Sequence, residues 1–273
     1  MKKRFWALLS VMLLGASCAN AATCLEHTIW DNILKANVDK DGLVDYDAIR
    51  VNKGGDLYQY LTFLETADLS KCSESERMAF WINAYNANMV KMVLARPTMK
   101  QVSEDFKLFG EKFKVARLNL TLNDIEHRVV RSNPKKGGPI EGVSLKTFDP
   151  RIHFALVCGA IDCPKLSDRA YAAASIDSTL QANAVNFANN PKHVRIENDK
   201  LIVSSLMHWY EEDFAKFGGP AAYITSLIDP KLRPDAEQVI AKIKTDFPDK
   251  TVFRYDWTLN SIKNKKPDLA AKN

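Results

Sequence analysis

Five cysteines in 273 residues are too few for a fold held by disulfides. Long apolar runs are missing too. The stretch Phe5 to Leu14 is ten residues, too short to cross a bilayer, so no membrane span is expected. Neither charge sign dominates, with 38 lysines and arginines against 33 acidic residues and a formal charge of +5. There is no basic patch, which argues against a nucleic-acid partner. G-x-S-x-G, H-E-x-x-H, the P-loop and G-x-G-x-x-G are all absent, excluding the commonest hydrolase, zinc-peptidase and nucleotide signatures. No internal repeat, low-complexity tract or clear linker divides the chain. What remains is a sequence 46% hydrophobic and 10% aromatic, able to bury a substantial core.

The first 21 residues read as an export signal. Lys2, Lys3 and Arg4 form a positive n-region, Phe5 to Leu14 the apolar h-region, and Ala19-Asn20-Ala21 an A-x-A cleavage site. A lipoprotein signal at Cys18 fits less well, because Gly15 stands where a leucine is wanted. Cleavage after Ala21 removes three basic residues and lowers the formal charge from +5 to +2. The expected product is periplasmic or secreted, a single globular domain over residues 22–262 with a flexible lysine-rich tail over 263–273. Its four cysteines are Cys24, Cys72, Cys158 and Cys163.

Helix signals dominate, and the expected fold class is α+β: a mainly helical domain packed on a small sheet. Ser73-x-x-Glu76 is a capping box opening a helix to about Ala95, before Pro97. Further helices are predicted from Thr121 through Arg131, Ser175 through Ala188, Ser204 or Ser205 through Phe217, and Asp235 to about Lys244. Strands are predicted over Phe113 to Leu120, Ile152 to Val157 and Thr251 to Tyr255. Val194 to Glu197 and Leu201 to Val203 flank Asn198-Asp199 as a hairpin. Ser132 to Gly142 and Gly218-Gly219-Pro220 read as loops.

On helical wheels, three helices place polar residues among apolar ones. Asn83 and Asn86 fall among Ala79, Ile82, Val90 and Val93, while Arg77, Asn88 and Lys91 share the wet face. Glu126 lies within the arc of Leu122, Ile125, Val129 and Val130, and Asp213 lies between Leu206, Trp209 and Phe217. Buried carboxylates need partners, and Arg151 and His153, on one face of the predicted strand, are natural donors. The groups form either a satisfied polar core or a shared cleft.

RIHFALVCGAIDCPKL, residues 151–166, ends a predicted buried strand in two cysteines. In a regular strand His153 and Cys158 point to opposite faces, ~17 Å apart at about 3.4 Å per residue. Cys163, after the Gly159 to Asp162 loop, is better placed to reach His153 or His127. Cys163 or Cys158, His153 or His127, and Glu126, Asn83 or Asn86 supply a nucleophile, a base and a group to orient it. Equally, Cys158 and Cys163 can form a local disulfide, with Cys24 to Cys72 as a second.

Asn37 to Asp45 resembles the start of a calcium loop, with Gly42 at its sixth position. Ala48 stands at the twelfth, where a bidentate glutamate is required, so a solvated turn is expected. Zinc on Glu126, His127 and His153 is disfavoured, since adjacent residues of a helix diverge by about 100°. No metal and no cofactor is expected.

In order along the chain, DGLVDYDAI, FWINAYNANMVKMVL, LTLNDIEHRVVR, DPRIHFALVCGAIDCPKL, HWYEEDF and YDWTLN resemble the family called domain of unknown function number 547. The likeness covers about Asp39 to Asn260. That family occurs in exported bacterial proteins and in plant leucine-zipper proteins, and its name carries no activity. Its recurring residues fall here on Trp81, Asn83, Tyr85, Asn86, Glu126, His127, Arg151, His153, Cys158, Cys163 and Asp213. The plant members lack export signals, so if the cysteine pair recurs in them the resemblance implies a purpose beyond stapling.

Two functions are thus expected to compete. One is thiol-dependent hydrolysis or acyl transfer on a small or peptide-like substrate. Cys163 or Cys158 attacks, His153 or His127 carries the proton, and Glu126 or an asparagine holds the imidazole. Trp81, Tyr85, Asn83, Asn86, Arg151 and Asp213 then bind the substrate. The other is a non-catalytic binding module stabilised by a Cys158–Cys163 disulfide. A redox role for the pair is a third option.

Overall fold

The computed structural model describes residues 25–248 and 255–265. The expected export signal, Cys24, most of the Thr251 to Tyr255 strand and residues 266–273 lie outside the described residues. Helix α1 (Thr28–Asn37), the short α2 (Tyr46–Ala48) and α3 (Gly54–Thr66) precede the long α4 (Glu74–Leu94). The β1–β2 hairpin (Phe113–Val115, Leu118–Leu120) follows, then α5 (Ile176–Asn189) and the β3–β4 hairpin (Val194–Glu197, Lys200–Val203). The short α6 (Leu206–Trp209), α7 (Gly219–Leu227) and α8 (Ala236–Thr245) come last. This is the expected mainly helical α+β fold, and among the described residues its β-structure is two small antiparallel hairpins.

Helix α4 organises the molecule. Its 21 residues, about 31 Å at 1.5 Å per residue, begin at the predicted capping box. Ser73 Oγ accepts the Glu76 amide at 3.3 Å, and Glu76 accepts the Ser73 amide at 2.8 Å. From Met78 to Val93 every residue except Lys91 is buried, so the helix has almost no wet face. Asn88, expected on that face, is buried and donates to the Ala84 carbonyl at 2.9 Å.

The core forms two clusters. One surrounds α4 and includes Tyr85, Ile125, Leu156 and Cys163. The other joins α5, the β3–β4 hairpin and α6 to α8, with Phe154, Leu206 and Phe214 among its members.

Four sequence expectations need correction. Phe113 to Leu120 is a hairpin, because Ala116 and Arg117 turn at φ 47° and 64°. Asp124–Val130 is wound as a π-helix after a single α-helical step, with Arg131 N donating to Glu126 O at 3.0 Å. Pro150–Phe154 is a 3-10 helix, not a strand. Asp149 caps it by accepting the Arg151 amide at 2.9 Å, and Pro150 occupies the first turn; these helix-start signals outweigh the apolar run. Finally, the helix expected through Phe217 breaks at Tyr210, and Glu211–Phe217 continues as a tighter 3-10 helix.

The Asn37 to Asp47 loop is a hydrogen-bonded turn. Asp39 Oδ1 accepts the Asp41 and Leu43 amides at 2.9 Å, and Lys265 lies 2.8 Å from Asp39 and 3.2 Å from Asp41. A lysine ammonium therefore sits against the carboxylates that a calcium ion would need. Lys263 also pairs with Asp47, so the first residues of the expected tail are docked on the fold.

Candidate functional site

A cavity of about 320 Å³ opens where the two core clusters meet. Tyr85 of α4, Glu126 and His127 of the π-helix, and His153 of the 3-10 helix form its polar end. Cys158 and Cys163 form part of its wall. Trp209 and Tyr210 reach it from the end of α6, and Tyr255 and Trp257 from the C-terminal segment. That segment is tied across the cysteine loop: Ile161 N donates to Thr258 O at 2.7 Å, and Asp256 N to Asp162 Oδ2 at 2.7 Å. Tyr255, Trp257 and Trp209 then pack together with ring centroids 4.5–5.6 Å apart, and Phe106 meets Trp257 edge-on at 4.8 Å. Trp209 and Phe106 remain about half exposed at the rim.

The π-winding explains how neighbours Glu126 and His127 both face the cavity. Five-residue spacing widens the turn and reduces the divergence of consecutive side chains below the α-helical value. Glu126 is buried and accepts hydrogen bonds from the Tyr210 hydroxyl and, at 3.4 Å, from the Tyr85 hydroxyl. Burial, reinforced by the Glu126 charge, raises both tyrosine pKa values, so the hydroxyls stay protonated as donors.

Behind the cavity wall runs a charged chain. Arg131 donates Nε to Asp213 at 2.6 Å and Nη1 to His127 Nδ1 at 2.9 Å. A guanidinium only donates, so Nδ1 of His127 accepts and the ring carries its proton on Nε2. His127 lies 3.8 Å from Glu126, but as a neutral ring it forms no ion pair there. Burial lowers its pKa, Arg131 adds to the effect, and Glu126 only partly opposes it. His153 donates Nε2–H to Asp213 at 2.7 Å and stacks on Tyr210 at 3.9 Å. Burial lowers the His153 pKa despite that carboxylate, leaving Nδ1 an acceptor that makes no hydrogen bond among the described residues. Burial alone would raise the Asp213 pKa; hydrogen bonds from His153 and Arg131 hold it below the ordinary value.

Cys158 and Cys163 are joined by a disulfide, with Cα atoms 6.1 Å apart. Gly159 begins the connecting loop at φ 83°, a left-handed backbone that favours glycine, with Met89 of α4 packed against it. The loop is also held by Asn86, which donates to Ala155 O at 2.9 Å and accepts Val157 N at 3.0 Å. Cys72 is disulfide-bonded as well; its expected partner, Cys24, lies outside the described residues.

Of the residues singled out from sequence, Tyr85, Glu126, His127, His153, Cys158 and Cys163 come together at the cavity. Asp213 stands behind His153. Asn83 and Asn86 do not line the cavity; they are buried and bind backbone, Asn83 gripping Tyr171 through its carbonyl at 2.8 Å and its amide at 2.9 Å. Trp81 is fully buried against Phe80, away from the cavity. Arg151 is also elsewhere, bound to Asp149 at 2.7 Å and Asp177 at 2.6 Å. Sequence reasoning missed Arg131, Trp209, Tyr210, Tyr255 and Trp257 as site residues. The signal was present in the aromatics of HWYEEDF and YDWTLN, which break the apolar periodicity around them.

These features describe a mainly helical α+β protein with an aromatic cavity, a buried carboxylate and a disulfide in its wall. The family model described as "Protein of unknown function, DUF547" matches residues 69–188, which supports the family that the ordered motifs resemble. The matched segment carries Tyr85, Glu126, His127, His153 and both cavity cysteines, and stops before Trp209, Tyr210, Tyr255 and Trp257. No curated protein and no solved structure matches the chain. Among the described residues no helix is long and apolar enough to cross a membrane, and no group of three His, Cys, Asp or Glu is arranged to hold a metal ion.

Proposed function

We propose that this chain is an exported binding protein whose aromatic cavity holds a small ligand against Glu126, with the Cys158–Cys163 disulfide as a fixed part of the wall. The observation carrying this reading is the disulfide itself. A nucleophilic cysteine acts as a thiolate, and both sulfurs that line the cavity are spent on each other. The remaining lining, rings with a few convergent polar groups, is the usual make-up of a ligand pocket. Export is supported by the n-region, h-region and A-x-A pattern of residues 1–21 and by the oxidising setting that lasting disulfides require.

One observation favours a second reading. The disulfide lines the cavity rather than a remote surface, and Cys158 is partly exposed there. After reduction, its thiolate would attack a carbonyl carbon, with an imidazole taking the thiol proton and returning it to the leaving group. Trp209 and Trp257 report occupancy, so small molecules are titrated against the fluorescence of the oxidised protein. In parallel, ester turnover is followed with and without dithiothreitol. Saturable binding with no thiol-dependent turnover supports the binding protein. Turnover that appears on reduction and is lost in Cys158→Ser or Cys163→Ser moves the assignment to the enzyme.

A further inference from the structure

Glu126 is the only formally charged residue that lines the cavity among the described residues, and no protein cation neutralises it directly. Its two partners, Tyr85 and Tyr210, are neutral hydroxyls. The nearby cations are committed elsewhere: Arg131 to Asp213, and Lys135 to Glu212 at 2.8 Å. His127 and His153, the other titratable groups at that end, are kept neutral by burial. Arg131 pairs with Asp213 and Glu212 and feels the Glu126 charge without hydrogen-bonding to it, so Glu126 is the carboxylate at the cavity end with no cationic hydrogen-bond partner of its own.

The polar end also offers two acceptors beside the donors His127 Nε2–H and Asn123. Glu126 has lone pairs beyond those taken by the tyrosines, and His153 keeps Nδ1 unprotonated while Nε2 serves Asp213. Around them stand electron-rich ring faces. An anionic ligand would meet an unmatched negative charge. A neutral apolar ligand would desolvate Glu126 further and leave its charge without a counter-charge, at a cost of several kcal/mol.

Resting on the reading of this cavity as a ligand site, we propose that its ligand is an organic ammonium cation, its charged nitrogen against Glu126 and its apolar part against Trp209, Tyr255 and Trp257. The aromatic rings and the carboxylate then act together on one charged nitrogen.

The test is calorimetric titration of the full oxidised chain at neutral pH with two probes of the same shape, benzylammonium chloride and benzyl alcohol, at matched ionic strength. The expected result is benzylammonium binding at least about tenfold more tightly, in line with a desolvated cation–π contact plus a carboxylate. That preference collapses in Glu126→Gln, whose fold is checked by near-ultraviolet dichroism. Equal affinity for the two probes overturns the cation inference while leaving the ligand cavity standing. A preference that persists in Glu126→Gln places the cation elsewhere and overturns it too. Heat from neither probe overturns both the inference and the cavity reading.

Discussion

His153 donates its Nε2–H to the Asp213 carboxylate at 2.7 Å across sixty residues of chain, and this bond joins the two halves of the cavity. His153 belongs to the 3-10 helix beside the disulfide loop, Asp213 to the 3-10 helix after α6. Arg131, just past the π-helix, donates a second hydrogen bond to the same Asp213 oxygen.

Arg131→Met therefore leaves a partly buried carboxylate with half its partners. Its guanidinium is 3% exposed and cannot be replaced by water without opening the structure. Loss of about 3–5 kcal/mol is expected, measured by urea denaturation. Asp213→Asn should cost less, since the amide oxygen still accepts from His153.

Asn86→Ala removes no charge yet should be comparably harmful. It orphans the Ala155 carbonyl and the Val157 amide, both within the segment that aims the cysteine loop. Two buried backbone groups left unpaired cost about 3 kcal/mol together. Altered cavity geometry should accompany the loss, read as changed Trp209 and Trp257 emission.

Acid should destabilise the protein earlier than its carboxylates require. Burial lowers the pKa of His27 to about 4 from 6.5, and lowers those of His193, His153 and His127. Between those folded values and 6.5 the unfolded chain binds protons that the native chain refuses. Stability is therefore highest above 6.5 and falls as pH drops through the window below it. His27 alone accounts for about 3 kcal/mol between pH 6.5 and 4. Thermal melts over that range should show the decline. His193→Phe, which keeps the stack on Phe187, should make it shallower.

Reducing the Cys158–Cys163 bond should cost modestly. The bridge closes a separation of only five residues, for which the chain-entropy model gives about 2 kcal/mol. The Cys158→Ser/Cys163→Ser double variant should fold, with an unfolding free energy from urea titration lowered by that amount, and should still bind in the cavity.

What the sequence made legible was decided by local chemistry. The Ser73 capping box, the Asn198-Asp199 hairpin and the α5 and α8 helices follow from caps, turns and periodicity, and all appear. Glu126 and Asp213 were recognisable as inward-facing on ordinary helical wheels, although the segments holding them are π and 3-10. Burial pattern survives such changes of winding; direction does not. That is why the ~17 Å separation of His153 and Cys158, which assumed a regular strand, had no bearing once Asp149 and Pro150 had started a helix. Asn83 and Asn86 looked like site residues for a sound reason, being polar and buried. Their partners are backbone atoms 69 to 88 residues away, a pairing that no local pattern encodes. The aromatic wall was hidden for the same cause, since Trp209 and Trp257 meet only after the chain has closed.

The measurement that bears most directly on the central claim is differential alkylation of the mature protein from its own compartment, before and after reduction, mapped by mass spectrometry. The account predicts that Cys158 and Cys163 label only after reduction and are recovered unreduced as one crosslinked peptide. Rapid labelling of either cysteine in the unreduced protein would contradict it and return the site to thiol chemistry.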